Sequence, residues 1–146
     1  MADYLNLALS EAETRKMSSL GLAHIGDAVF ELMVRTWMCA HGRSTARNLH
    51  RASVKFVSAA AQASAMEKLL PYLTKTEREV YIRGRNAHVN TVPRNASYGE
   101  YHAATGFEAL FGWLYLRGDA ARVNDLFELT MDVEAEKSEK EFAGEV

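Results

Sequence analysis

Residues 20–31, Leu-Gly-Leu-Ala-His-Ile-Gly-Asp-Ala-Val-Phe-Glu, restrict the fold of this chain more than any other stretch. The run is apolar and helix-compatible, with Ser18 or Ser19 as cap and a predicted end near Ala40, before His41-Gly42. Its apolar residues Leu22, Ile25, Val29, Leu32, Val34 and Trp37 cover more than one face, so other helices must surround it. Yet it carries Asp27 and Glu31, four residues apart and on one face. Charged groups are seldom buried without a partner or a metal. An acid in the middle of such a run therefore needs a reason.

The remaining elements also read as helices. Ser10 with Glu11 and Glu13 can cap a short turn. A long helix is predicted from Ser44 or Thr45 to Leu70, ended by Pro71. Its segment Ala59-Ala60-Ala61-Gln62-Ala63-Ser64-Ala65 is small enough for close helix approach. Thr74 and Glu77 have capping-box spacing, with Thr76 as an alternative cap, for a helix to about Arg83. Residues 84–95 form a long polar, basic loop punctuated by Gly84 and Pro93, a length that is usually functional or disordered. Ser97 caps a strongly apolar helix, roughly 98–116, stopped by Gly118. Asp119 caps a last helix through about Met131. There is no strand alternation, internal repeat or interdomain linker, so the expectation is one all-α bundle. The folded unit is placed at 1–132 and a charged C-terminal tail at 133–146.

The 146-residue chain is long enough for one domain with a real core. It lacks a membrane-spanning apolar run and an N-terminal signal pattern, so no membrane role and a cytoplasmic location are expected. One cysteine, Cys39, excludes an internal disulfide and reads as a small buried apolar residue rather than a nucleophile. Net charge is only −2, but its distribution is uneven. Residues 43–94 hold ten basic and three acidic residues, whereas 95–146 hold four and eleven. A basic middle between acidic flanks fits a polyanionic partner.

Within that middle, Arg43, Arg47, Arg51 and Lys55 recur every four residues and make one helical stripe. Arg83, Arg85, Asn86, His88 and Arg94 cluster in and beside the loop. Such groups suit phosphates, which position a duplex without reading its sequence; the plainer alternative is a solvated helix face. For the acids, Glu108 lies in the second apolar helix and shares a face with Tyr101 and Thr105. If the two helices pack, Asp27 and Glu108 converge, a common way to hold a divalent cation such as Mg²⁺. Glu31 is a further candidate ligand. The alternative is that each acid pairs with a neighbouring base. His24, His88 and His102 have no metal-ligand spacing; His24 could touch the site, while His41 and His50 read as surface or helix-end residues. No phosphate-cradling glycine loop, no Cys-x-x-Cys and no serine nucleophile pattern is present.

These residues resemble a known family. Ile25-Gly26-Asp27-Ala28-Val29 is similar to the heart of the ribonuclease III signature, and Gly106-Phe107-Glu108-Ala109-Leu110 to its second acidic helix. The Mini-ribonuclease III branch is resembled further by Arg83-Gly84-Arg85-Asn86-Ala87, Thr91-Val92-Pro93, Ser58-Ala59, Gln62-Ala63 and Tyr115-Leu116. The resemblance spans roughly residues 17–131. It implies an all-α homodimeric endoribonuclease with the catalytic domain only. The implied substrate is double-stranded RNA, namely the 23S ribosomal RNA precursor, with a ribosomal protein as a further partner on that substrate. Asp27 and Glu108 are the implied catalytic positions, and Mg²⁺ the implied cofactor. Ala23 and Thr105 stand where ordinary ribonuclease III has two more acids, which leaves fewer ligands per site. The rival readings are a non-catalytic duplex-binding or ribosome-associated protein of the same fold, and a helical oligomerisation module without RNA.

Overall fold

A computed structural model describes residues 2–41, 45–87 and 97–144, with side chains described through Asp132. Among these residues the chain is all-helical. The elements are α1 (Glu11–Arg15), α2 (Ser19–Ala40), α3 (Ala46–Val57), α4 (Ala59–Leu69), a 3-10 turn (Leu70–Tyr72), α5 (Lys75–Arg85), α6 (Tyr98–Leu116) and α7 (Ala120–Gly144).

The polar residues predicted to start helices do so. Ser10 and Glu13 form one capping box, Thr74 and Glu77 another. Ser18 Oγ accepts from Gly21 N at 3.0 Å, Thr45 Oγ1 from Asn48 N at 3.1 Å and Ser97 Oγ from Glu100 N at 3.1 Å. Asp119 Oδ1 accepts from Arg122 N at 3.2 Å. Each cap satisfies a backbone donor that has no partner inside the helix.

The helix expected from Ser44 or Thr45 to Leu70 is instead two. Ser58 has ψ 153°, which ends α3, and its hydroxyl accepts from Ala61 N to start α4. Ser58 is thus a cap inside a run whose composition otherwise favours one continuous helix.

The hub of the bundle is α6. It packs against α2, α4, α5 and α7, and most extensively against α2. That is why it is buried on nearly every side, from His102 through Leu116. Helix α2 is different: it buries Leu22, Ala23, Gly26, Phe30, Val34 and Met38, while Leu20 and Leu32 are exposed. Phe30, Phe107 and Phe111 form the centre of the core, with centroids 4.7–5.5 Å apart. Phe30 meets both partners edge-on, which adds roughly 1 kcal/mol per pair beyond the area buried. Gly118, with φ 76°, ends α6 in a conformation that favours glycine.

Candidate active site

Two glycines set the geometry of the site. A Cβ built on Gly26 would lie 1.6 Å from the Glu108 carbonyl oxygen, and one on Gly112 would lie 1.9 Å from the Leu22 carbonyl oxygen. Backbones of α2 and α6 therefore touch with no side chain between them. Asp27 follows Gly26, and Glu108 sits one turn before Gly112. Their carboxylates are near enough for the Asp27 charge to act on Glu108.

The two acids differ in surroundings. Asp27 is exposed, which corrects the expectation of an acid buried in an apolar helix: the α2 face that carries it is open to solvent. Glu108 is half-buried, the more covered of the two. Burial, and then the Asp27 charge, push its carboxyl up to about 8, against a smaller opposing effect of the Gln62 amide. Asp27 is also raised, by partial burial first and the Glu31 charge second, while His24 opposes. Two carboxylates that each resist ionisation are relieved by a cation between them. Among the described residues no three His, Cys, Asp or Glu side chains gather into a metal-holding group. Ala23 and Thr105 are buried, and the Thr105 hydroxyl donates to the Tyr101 carbonyl at 3.0 Å. The donor set therefore suits a hydrated ion held by two carboxylates, as Mg²⁺ commonly is, and not a closed cage.

The third candidate acid is engaged elsewhere: Arg35 donates to Glu31 at 2.8 Å. Gln62 is the site residue that sequence reasoning passed over. It is buried on α4 beside Glu108, and neither end of its amide has a hydrogen-bond partner. Its signals were one amide in a run of alanines and its place in the Gln62-Ala63 pair of the branch resemblance, neither of which pointed to the site.

Of the expected phosphate contacts, Arg47, Arg51 and Lys55 lie exposed along α3, and Arg83, Arg85 and Asn86 lie exposed at the end of α5. Arg43, His88 and Arg94 lie outside the described residues. The end of α5 is tied to α6 by His102, whose Nδ1–H donates to the Arg85 carbonyl at 2.9 Å. Cys39 is exposed, contrary to the buried position expected. A second feature borders the site: Ile25, Ala28, Val29, Leu32, Met33 and Trp37 of α2 line an apolar groove of about 970 Å³ with α7 and residues 5–8.

The Ribonuclease III domain family matches residues 20–119. A Mini-ribonuclease 3 from Symbiobacterium thermophilum is 42% identical over 77% of this chain and 87% of its own length. One from Clostridium tetani is 36% identical over 94% and 92%. A crystal structure of a protein from Fusobacterium nucleatum superposes with a TM-score of 0.76 at 27% identity, covering 84% of this chain and 98% of that one. No helix among the described residues is long and apolar enough to cross a membrane. With a helical fold of that kind and acids at the crossing of its two signature helices, the chain belongs to the ribonuclease III family, on its Mini-ribonuclease 3 branch, and is an endoribonuclease.

Proposed function

We propose that this chain hydrolyses phosphodiester bonds in double-stranded RNA with Mg²⁺ held by Asp27 and Glu108. The observation that carries the reading is the pairing of those carboxylates across a glycine-on-glycine helix crossing. When bound, such an ion lowers the pKa of a coordinated water and offsets charge on the phosphoryl oxygens. In this reading Asp27, which is exposed, would meet the scissile phosphate, and Glu108, which is half-buried, would help hold the ion. No side-chain base is needed. Glu31, held by Arg35, supports the local negative charge but ranks below the other two.

Duplex RNA offers phosphates and 2′-hydroxyls more readily than base edges. Arg47, Arg51 and Lys55 on α3 and Arg83, Arg85 and Asn86 on α5 form the described part of the grip, joined by Arg43, His88 and Arg94. The apolar groove beside Asp27 fits a second copy of the chain, which would set two sites side by side, one for each strand. The branch resemblance makes the 23S ribosomal RNA precursor the first substrate to test, with and without a ribosomal protein bound to it, and the cytoplasm the setting. The catalytic unit is assigned to residues 1–132, with 133–146 as a charged appendage.

The test is cleavage of a duplex RNA by wild type and Asp27→Asn, with MgCl₂ and with EDTA. Wild type should cut only with the metal, and Asp27→Asn should not cut. Cleavage by Asp27→Asn at wild-type rate refutes the assignment, and binding without cleavage by wild type favours the non-catalytic RNA-binding reading. Neutralising Arg47, Arg51 and Lys55 together should flatten the salt dependence of binding by about 3 units of log–log slope, because each phosphate contact contributes about 0.9.

A further inference from the structure

Among the described residues most buried polar side chains are hydrogen-bonded; His102 Nε2 and both ends of the Gln62 amide are not. Thr14, Ser53, Thr105 and Thr130 each donate a hydroxyl to a carbonyl three or four residues earlier. Glu77 accepts from Arg122 through both oxygens. His102 has the Arg85 carbonyl on one nitrogen. Gln62, only 1% exposed, has nothing on either amide atom. A buried amide left unpaired is costly, and methionine or leucine would fill the same space without that cost. The amide lies beside Glu108, on a helix that packs against α6 and whose other buried residues, Ala65, Met66 and Leu69, are all apolar.

We propose that Gln62 is a positioning residue for Glu108: its amide N–H donates to one oxygen of the ionised carboxylate and fixes which oxygen faces Asp27. The inference rests on the reading that Asp27 and Glu108 hold a cation. The Glu108 carboxylate beside it is the acceptor that this buried amide lacks. Partners one shell out from a metal commonly act this way, by orienting a ligand they do not replace.

The experiment measures the rise in melting temperature of the whole protein as MgCl₂ is added, without RNA, for wild type, Gln62→Met, Gln62→Leu and Asp27→Asn. Both Gln62 variants should melt at or above wild type in EDTA. Their Mg²⁺ midpoint should move up 10- to 100-fold, the range typical of outer-shell partners. In parallel, kcat on duplex RNA should fall with little change in KM. Two variants of different shape guard against one that simply fails to fold. If Asp27→Asn abolishes the metal response while both Gln62 variants keep the wild-type midpoint within twofold, Gln62 only fills space and the proposal is wrong. If Asp27→Asn responds to MgCl₂ as wild type does, the cation site itself is misassigned, and the role of Gln62 falls with it.

Discussion

Gly26→Ala isolates the feature on which the site depends. The added methyl carbon would lie 1.6 Å from the Glu108 carbonyl oxygen, 2.5 Å from the carbonyl carbon and 2.8 Å from Gly112 N. A carbon–oxygen contact needs about 3.3 Å, so α2 and α6 must part locally by roughly 1.7 Å. The obstacle is backbone inside a central helix, not a side-chain tip that can swing away. Two effects then oppose each other. Alanine favours the helix over glycine by about 1 kcal/mol. Overpacking a dense core costs about 1–3 kcal/mol, and more where nothing can yield. Because the clash is with backbone, the cost should exceed the top of that range, at about 3–5 kcal/mol, for a net loss of about 2–4 kcal/mol. For a domain of this size that is roughly 10 °C in melting temperature. The same displacement separates Asp27 from Glu108, and a misplacement of about 1 Å can cost 10²-fold in rate. Thermal and urea melts, with single-turnover cleavage of a duplex, test both parts. Gly99→Ala is the control: nothing lies within 4 Å of its Cβ, so it should be neutral or slightly stabilising. A Gly26→Ala protein that melts within about 2 °C of wild type would refute the reasoning.

Glu108→Gln should stabilise the metal-free protein while abolishing cleavage. Burial, then the Asp27 charge, hold the folded-state Glu108 pKa at about 8, well above the ordinary glutamate value of 4.5, so the folded state binds its proton more tightly than the unfolded state does. Stability from this group is intact below the unfolded value and is lost as pH rises toward about 8, by about 1.4 kcal/mol per unit, or on the order of 3 kcal/mol by pH 7. Urea melts in EDTA from pH 5 to 8 should show that decline in wild type and a flatter profile in the variant; parallel profiles would contradict the assignment. Arg122→Met should cost about 3 kcal/mol, because it strands the buried Glu77 carboxylate that Arg122 meets at 2.8 Å through both Nε and Nη2. The double variant Glu77→Met with Arg122→Met should recover much of that in denaturant melts, and a single-variant loss under about 1 kcal/mol would show the pair to be dispensable.

Much of the local structure was legible because its causes are local. Ser18, Thr45, Thr74, Ser97 and Asp119 cap helices with side chains that reach only three residues along the chain. The break at Ser58 was not legible. A serine can sit within a helix or cap one, and here Ser58, with ψ 153°, ends α3 and caps α4. The acids were legible as candidates, since Asp27 and Glu108 are carboxylates within the two most apolar helices. Which of them is the more covered was not: periodicity places a residue on a face but does not say which face is covered. Gln62 was missed for the same reason, because an amide in an alanine run is ordinary until a carboxylate is found beside it.

By itself the sequence determined most of the helices and their caps and the basic middle segment, and it singled out Asp27 and Glu108 as candidates, all consequences of residue type and spacing. Only the tertiary structure decided that Gly26 and Gly112 meet backbone to backbone, and that this contact brings Asp27 to Glu108. The physical reason is range. Capping and periodicity act over three or four residues, whereas Asp27 and Glu108 are joined by the packing of α2 on α6, which no local pattern encodes.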